Sequence, residues 1–548
     1  METAQVQNRP SLSAEDKGAA CNRQKIKAES RQMEMEIPTG CKTTFRLETR
    51  PSDPMHGSTP QQDMQADVCI VGAGMAGMST AYSLAREGKS VIVLDAGQIG
   101  GGMTERTTAH LSNALDDQYS QIERLHGEQG AKFAAQSHTA AIEHIERIIA
   151  AEEIDCDFER LDGYLFAAFG ESETNLEREM KAANRAGLVD VELIRHAPLE
   201  GFQSGPYLRF PRQAQFHPLK YLAGLARAIE RNGGRIFTVT RATDIKGGTS
   251  AYVRTDSGHA VSAKAIVVAT NSPINDIVTI HTKQAPYTTY AISARLPRGS
   301  VQRALYWDTH DPYHYVRLHG VADETGEYDL LIVGGEDHKT GQANDGEQRH
   351  ARLENWARER FHMMEDVTFR WSGQVMEPVD GVAFIGRNPS DFRNVYIATG
   401  DSGMGMTHGA IAGMLITDLI MERENPWADL YDPSRKTLGA LEKWTKENLN
   451  VAARFMKDFS AGESMAAMEK ISAAEGAVLR QGLKKVAVYR DEHGEAHQLS
   501  AKCAHLGCVV SWNSLEKSWD CPCHGSRYDR YGQVINGPAN QNLPKMEK

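Results

Sequence analysis

The stretch DVCIVGAGMAGMSTAYSLAREGKSVIVLD, residues 67–95, decides the fold of this 548-residue chain. A short apolar run stands before the glycines, apolar residues at helical spacing follow them, and a second apolar run ends at Asp95. The order of strand, glycine-rich turn, helix and strand is one βαβ unit. The sequence therefore predicts an α/β domain built around a parallel sheet.

The glycine-rich turn has the spacing G-x-G-x-x-G, which binds the pyrophosphate of a dinucleotide. Gly72 permits the tight turn, Gly74 lets the backbone approach the phosphates, and Gly77 lets helix and strand pack closely. The helix N-terminus favours phosphate, and Asp95 is placed to accept hydrogen bonds from ribose hydroxyls, which argues against NADP. We predict a Rossmann-type site with the binding residues Gly72, Gly74, Met75, Ala76, Gly77 and Asp95.

Two later segments favour FAD over NAD. Residues 265–273 read AIVVATNSP, and residues 394–413 read NVYIATGDSGMGMTHGAIAG, a strand, a glycine-rich turn and a helix start. Both resemble the FAD-dependent oxidoreductases of the D-amino-acid oxidase and glycine oxidase superfamily. The resemblance implies that this second helix N-terminus faces the flavin ring and stabilises the negative charge of its reduced form. The residues that it places near the flavin are Gly102, Thr104, Gly403, Met404, Gly405 and Met406.

One position departs from the amino-acid oxidases of that superfamily. They hold the substrate carboxylate with an arginine in a pattern like G-L-R-P, whereas residues 373–376 here read GQVM. Val375 stands where the arginine would be, and the missing bidentate contact argues against an amino-acid substrate. Arg317 or Arg295 is the alternative source of that contact. We assign no catalytic residue, and the candidates for the substrate pocket are His110, His217, Tyr287, Tyr290, His314 and His408.

Four of the eight cysteines lie close together, in CAHLGC (residues 503–508) and CPCHGS (residues 521–526). Each segment offers a thiolate and an imidazole, the ligands of a Rieske [2Fe–2S] cluster, in which two histidines replace two cysteines on one iron. A structural zinc site of the Cys2His2 type is the alternative, but zinc does not explain the second cysteine of each segment. The predicted cluster ligands are Cys503, His505, Cys521 and His524.

Residues 477–544 closely resemble the Rieske family, and within it the cytochrome bc type. The resemblance implies that Cys508 and Cys523 form a disulfide that joins the two loops. It also implies that the hydroxyls of Ser526 and Tyr528 donate hydrogen bonds to a bridging sulfide and to a ligand thiolate. Such bonds stabilise the reduced, more negative cluster and raise its potential.

Charge and apolar patterning exclude several classes of partner. The formal net charge of -11 does not suit a nucleic-acid-binding protein. The most apolar segment, residues 409–421, is too short to span a membrane. The N-terminal residues lack the apolar run of a secretory signal, so we expect a cytoplasmic location.

Changes in composition predict a polar extension and two folded regions separated by a linker. The FAD-binding parts of the first folded region fall at about residues 64–165, 215–275 and 375–425, with an inserted antiparallel substrate layer between them. The predicted boundaries are 1–63 for a mostly disordered extension, 64–458 for the FAD-dependent oxidoreductase domain, 459–475 for a linker and 476–548 for a small all-β Rieske domain.

These elements together predict an FAD-dependent dehydrogenase that oxidises a small organic molecule. Flavin takes two electrons and the cluster carries one, so electrons would leave singly through the cluster to an external acceptor, for which a second protein is a candidate. The alternative function is a non-catalytic electron carrier or redox sensor that uses the same two cofactors.

Overall fold

The computed structural model describes residues 59–168, 173–195, 205–275, 278–324, 326–460 and 463–546. Most of the predicted N-terminal extension, residues 1–58, lies outside these ranges. Within them, no helix combines the length and the apolar character that crossing a membrane requires.

The strands range from two to 14 residues in length. In chain order the described strands are β1 (Met64–Val71), β2 (Val91–Leu94), β3 (His110–Leu111), β4 (Glu159–Phe166), β5 (Glu192–Ile194), β6 (Tyr207–Gln215), β7 (Arg235–Phe237), β8 (Ala242–Lys246), β9 (Tyr252–Thr255), β10 (Ala260–Val268), β11 (Gln284–Pro297), β12 (Leu305–Asp308), β13 (His314–Asp323), β14 (Gly326–Lys339), β15 (Val367–Pro378), β16 (Phe384–Arg387), β17 (Val395–Thr399), β18 (Glu463–Ser464), β19 (Glu475–Gln481), β20 (Lys484–Arg490), β21 (Ala496–Ser500), β22 (Ser511–Asn513), β23 (Ser518–Asp520), β24 (Arg527–Asp529) and β25 (Val534–Asn536).

Helices connect these strands and cover the first sheet. The described α-helices are α1 (Met75–Arg86), α2 (Tyr119–Ala151), α3 (Glu173–Arg185), α4 (Pro218–Arg231), α5 (Gly346–Arg360), α6 (Gly405–Ile420), α7 (Ala428–Tyr431) and α8 (Leu441–Ser460). Short 3-10 helices cover Met103–Arg106, Leu438–Ala440 and Met465–Lys470.

The first sheet has the order β16-β17-β10-β1-β2-β7, with β9 and β8 continuing from β10. β1 pairs in parallel with both β10 and β2, in the register that sets Val68 opposite Val91. Every residue of β2 and β17 is buried, as expected for parallel strands covered on both faces. Helix α1 packs against α6 and α4. The predicted βαβ unit of residues 67–95 is therefore confirmed.

The second sheet is largely antiparallel, and its strands β3 and β4 come from the range of about 64–165 that we predicted as FAD-binding. Its order is β15-β11-β14-β13-β12-β4-β6-β3, with β5 beside β6. The long strand β11 pairs with β14 on one side and β15 on the other. The predicted combination of a Rossmann-type FAD-binding fold with an inserted antiparallel sheet is confirmed.

Residues 463–546 form an all-β region of two four-stranded sheets, β18-β19-β20-β21 and β22-β23-β24-β25. Trp519 and Tyr528 are fully buried in its core. The segment 459–475 differs from the linker that we predicted, because it contains β18, which pairs with β19, and a 3-10 helix. Met465 and Met468 of this helix are partly buried against the apolar side chains of β19 and β20, and this contact holds the helix on the sheet.

Helix α8 contacts both folded regions. Its Asn448 side chain donates a hydrogen bond to the Thr282 carbonyl at 2.9 Å, and Glu447 forms an ion pair with Lys339 at the end of β14. On its other side, Val451 and Phe455 pack against the core of the C-terminal region. The helix therefore connects the second sheet to the region that carries the cysteine cluster.

Candidate cofactor sites

A cavity of about 330 Å³ opens at the carboxyl ends of β1 and β17, between the two large sheets. Its volume lies within the roughly 300–1,000 Å³ typical of small-molecule sites. Of the twelve residues predicted to bind FAD, all except Gly77 line this cavity. Gly77 lies behind the glycine-rich turn, where a Cβ atom would stand 1.8 Å from the Gly72 carbonyl oxygen. This position agrees with the packing role that its spacing predicts.

The start of α1 suits the phosphates of a dinucleotide. Gly74 occupies the N-cap position without a capping side chain, and the first turn holds no acidic residue. Gly72 has a φ of +110°, and a Cβ there would lie 2.3 Å from the Ala269 carbonyl oxygen. The Thr104 hydroxyl accepts a hydrogen bond from the Met75 N–H at 3.2 Å. The backbone N–H groups, the dipole of α1 and the open space beside the glycines therefore favour an anion at the start of this helix.

Asp95 is held at the cavity wall by the backbone of the same turn. Its Oδ2 accepts from the Ala73 N–H at 2.6 Å, and its Oδ1 accepts from the Gly97 N–H at 2.7 Å. Burial raises the pKa of the Asp95 carboxyl, while these two hydrogen bonds act in the opposite direction. Carboxylate oxygens can accept further hydrogen bonds, so Asp95 can still accept from a ribose. This role stays a prediction.

Helix α6 directs a second N-terminus into the same cavity. Met404 is its N-cap residue, and no side chain caps it. Gly403 has a φ of +72°, and a Cβ there would lie 1.8 Å from Asp116 Oδ2. The free N–H groups and the helix dipole suit the electron-rich side of a reduced flavin. When bound, FAD would supply the acceptor for two electrons from a substrate.

Acidic and tyrosine side chains that our sequence reasoning missed line another part of the cavity. Asp116 is accessible to solvent in the cavity, and its Oδ2 lies 3.4 Å from the Tyr313 hydroxyl. Its surroundings, mainly desolvation within the cavity and then the neighbouring Asp117 carboxyl, raise the pKa of Asp116 to about 7. Burial also raises the pKa of Asp401 to about 6. Tyr315 completes this wall.

The arginines that we proposed as substitutes for the missing carboxylate clamp do not line the cavity. Arg317 is buried and donates to the carbonyls of Ala109 and Phe216 at 3.3 and 3.2 Å. Arg295 lies over the Tyr328 ring at 4.2 Å. Of the six histidine and tyrosine candidates, the cavity is lined by His110 and His408 but not by His217, Tyr287, Tyr290 or His314.

The four predicted cluster ligands lie together on two loops, one after β21 and one after β23. Cys503, Cys521 and His524 are buried, and the His505 and His524 rings are 5.0 Å apart. The His524 Nδ1 atom is buried and has no hydrogen-bond partner among the described residues. A disulfide joins Cys508 to Cys523 with their Cα atoms 6.5 Å apart.

This donor set fits a [2Fe–2S] cluster of the Rieske type, which needs two thiolates and two imidazoles. The disulfide accounts for the second cysteine of each loop, which a zinc site leaves unexplained. When bound, the cluster would supply a one-electron centre.

Tyr528 and Ser526 lie beside the ligands in positions to donate hydrogen bonds. The Tyr528 hydroxyl accepts from the Ala504 N–H at 3.0 Å and lies 3.2 Å from Cys503 Sγ, so its own proton is left for the sulfur. The Ser526 hydroxyl accepts from the Ala539 N–H at 3.0 Å, which leaves its proton free in the same way.

His281 is a further neighbour of the cluster site that sequence reasoning missed. It belongs to the turn before β11 and is buried. Its ring centroid lies 4.8 Å from that of His505 and 5.8 Å from that of His524. The histidine side of the cluster site therefore faces the connection between β10 and β11 of the same chain, an arrangement that no local pattern around residue 281 indicates.

We predict that Tyr528→Phe lowers the reduction potential of the cluster. The change removes the hydrogen bond to Cys503, which stabilises the reduced form more than the oxidised form. Hydrogen bonds to charged groups contribute about 1.5–3 kcal/mol, but only part of this energy differs between the two redox states. For a one-electron couple, a tenfold change in the equilibrium constant corresponds to about 59 mV. We therefore expect the reduction potential to fall by on the order of 50 mV. A redox titration followed by electron paramagnetic resonance measures it.

The matched control is Tyr531→Phe, since Tyr531 belongs to the same region but packs against Tyr489 and His497. The reduction potential of the cluster in Tyr531→Phe should equal that of the wild type. An unchanged potential in Tyr528→Phe would remove Tyr528 from the account of the cluster.

Comparison with known proteins identifies both folded regions. The family model of FAD dependent oxidoreductases matches residues 67–419, and that of the Rieske [2Fe-2S] domain matches residues 464–547. The chain is 32% identical to YhfW of Bacillus subtilis (strain 168), which is named as a Rieske 2Fe-2S iron-sulfur protein, over 89% of this chain and 94% of YhfW. It is 29% identical to gamma-glutamylputrescine oxidoreductase of Escherichia coli (strain K12), over 68% of this chain and 88% of that protein.

The fold is shared with glycine oxidase from Geobacillus kaustophilus. That structure aligns with a TM-score of 0.55 at 19% identity, covering 68% of this chain and 99% of the oxidase. The chain therefore belongs to the family of FAD-dependent oxidoreductases and carries a C-terminal Rieske domain, so that its cofactors are FAD and a [2Fe–2S] cluster.

Proposed function

We propose that this enzyme is a dehydrogenase that oxidises a small cationic amine and passes the electrons singly through its Rieske cluster to an external acceptor. The observation that carries the proposal is the composition of the cavity wall. Residues of the Rieske region, among them Asn536 and Gly537, line the same cavity as the glycine-rich turn of the FAD site. The two cofactor sites are therefore neighbours within one chain.

The reaction balances with two molecules of a one-electron acceptor. As the C–N single bond of the amine becomes a C=N double bond, the substrate loses a hydride and a proton. Two acceptor molecules gain one electron each, and two protons are released in total.

We assign cluster ligation to Cys503, His505, Cys521 and His524, and a cytoplasmic location stays a prediction from the sequence.

Three features support a cationic substrate. Asp116 and Asp401 present carboxyl groups to the cavity, where partial burial strengthens their attraction for a positive charge. Tyr313 and Tyr315 present aromatic rings, which also attract cations. By the resemblance to the amino-acid oxidases, Val375 replaces the arginine that holds a substrate carboxylate, so an amine without a carboxylate lacks no contact at this position. The name of the Escherichia coli relative points to a derivative of a diamine.

The direct test is an anaerobic titration of the holoenzyme with a panel of a diamine, a monoamine, an amino acid and a 2-hydroxy acid. We expect amines to bleach the flavin absorbance and to produce the electron paramagnetic resonance signal of the reduced cluster in the same sample. Bleaching by the hydroxy acid alone would contradict the substrate class. A bleached flavin beside a cluster that stays oxidised would contradict the electron route.

We predict that Asp116→Asn raises the KM for the amine by about tenfold or more, since one charge-assisted contact of ~1.4 kcal/mol is worth that factor. The matched control is Asp366→Asn, because Asp366 is fully exposed at the surface. Steady-state kinetics with a one-electron dye measure both variants. A rise in KM that is equal in the two variants would contradict a role for Asp116.

The same carboxyl predicts a pH dependence. Its pKa of about 7 leaves Asp116 neutral below pH 7 and negative above it. A cation is therefore held less well in acid, and the KM of the wild type should rise as the pH falls through 7. The rise in KM at low pH should be smaller in Asp116→Asn, because the asparagine amide is neutral at every pH tested.

A further inference from the structure

Gln374 joins the two cofactor sites physically. It lies in β15, its side chain is 2% exposed, and it lines the cavity. Its Nε2 donates a hydrogen bond at 2.8 Å to the carbonyl of Gly525, the residue that follows the cluster ligand His524. One side chain, one hydrogen bond and one peptide unit therefore connect the cavity wall to the ligand.

The contact between these parts is close because Gly525 has no side chain. Its φ is +80°, a conformation that favours glycine. A Cβ at this position would stand 2.5 Å from the Pro286 Cβ and 2.7 Å from Gln374 Nε2. On its other side, the Gln374 Oε1 lies 3.4 Å from Asn536 Nδ2, and Asn536 also lines the cavity. The amide is therefore fixed from both ends.

A second glutamine makes a similar contact without touching the cavity. The Gln342 Nε2 donates at 3.1 Å to the carbonyl of Pro522, in the same cluster loop. Gln342 does not line the cavity but faces a small cleft beside α8. The two glutamines thus hold the two ends of one loop, and only Gln374 also borders the FAD site.

We propose that Gln374 is the positioning residue that determines how fast an electron moves from the FAD cavity to the cluster. The proposal rests on the proposed function, in which one chain holds both ends of the transfer. In each transfer one electron is lost on the cavity side and gained on the cluster side, and no bond forms or breaks. Electron tunnelling weakens steeply with distance and is carried better by bonds and hydrogen bonds than by gaps, so the Gln374 contact provides the favoured route.

The experiment uses the full-length holoenzyme without any substrate. Under anaerobic conditions a light flash in the presence of a photoreductant reduces the flavin, and rapid freeze-quenching followed by electron paramagnetic resonance measures the appearance of the reduced cluster. The variants are Gln374→Asn, whose amide is too short to reach Gly525, and Gln374→Met, which keeps the length but has no donor. The control is Gln342→Asn. Redox titrations give the flavin and cluster potentials of all four proteins.

We expect both Gln374 variants to reduce their cluster about tenfold more slowly than the wild type. Both potentials and the rate of flavin photoreduction should be unchanged, and Gln342→Asn should behave as the wild type. The two Gln374 variants perturb packing differently. The rate of cluster reduction in either variant tests the proposal, provided that the variant retains both cofactors.

Equal slowing in the Gln342 and Gln374 variants would overturn the proposal, because both glutamines would then serve only to hold the regions together. Wild-type rates in the Gln374 variants, or a shifted cluster potential that accounts for the slowing, would also overturn it. If the wild-type cluster stays oxidised after flavin photoreduction, the proposed function itself fails, and this result is distinct from the others.

Discussion

The close approach of the cluster loop to the second sheet is the contact on which the arrangement of both sites depends. Two glycines on opposite sides of this contact make it possible. Gly525 of the cluster loop packs on Pro286 and Gln374, and Gly341 packs on the backbone of Asp520 and Pro522, where a Cβ would lie 2.8 Å from the Asp520 carbonyl oxygen. Because neither glycine has a side chain at the contact, the two regions approach closely, and the Rieske region forms part of the FAD cavity wall.

A buried group of charges fixes the orientation of the two regions. Burial acts to raise the pKa of Glu516, but Arg106 and then Arg527 outweigh it, so the pKa lies below its usual value. Glu516 forms an ion pair with Arg106 at 3.2 Å, and Arg106 lines the FAD cavity. A buried pair that loses one partner is strongly destabilising. The charges therefore favour one docked arrangement over others of similar area.

Features with a local physical cause could be predicted from the sequence. The glycine spacing of residues 72–77 reflects backbone demands of a single turn, and the C-x-H and C-x2-H spacings reflect the ligand needs of one cluster. Features that arise from long-range packing could not be predicted. Asp116, Tyr313 and His281 enter the sites only because sheets and loops far apart in the chain come together. The segment 459–475 has no strong periodicity, and its 3-10 helix (Met465–Lys470) is held by contacts of two methionines with a sheet rather than by local propensity.

If electrons pass between two cofactors held in one chain, as proposed, the transfer is a first-order reaction. The rate of cluster reduction after flavin photoreduction should be measured over a wide range of holoenzyme concentrations. We expect a first-order rate constant that does not change with concentration, since both centres belong to the same molecule. A rate constant that rises in proportion to enzyme concentration would mean transfer between molecules and would rule out the proposed route.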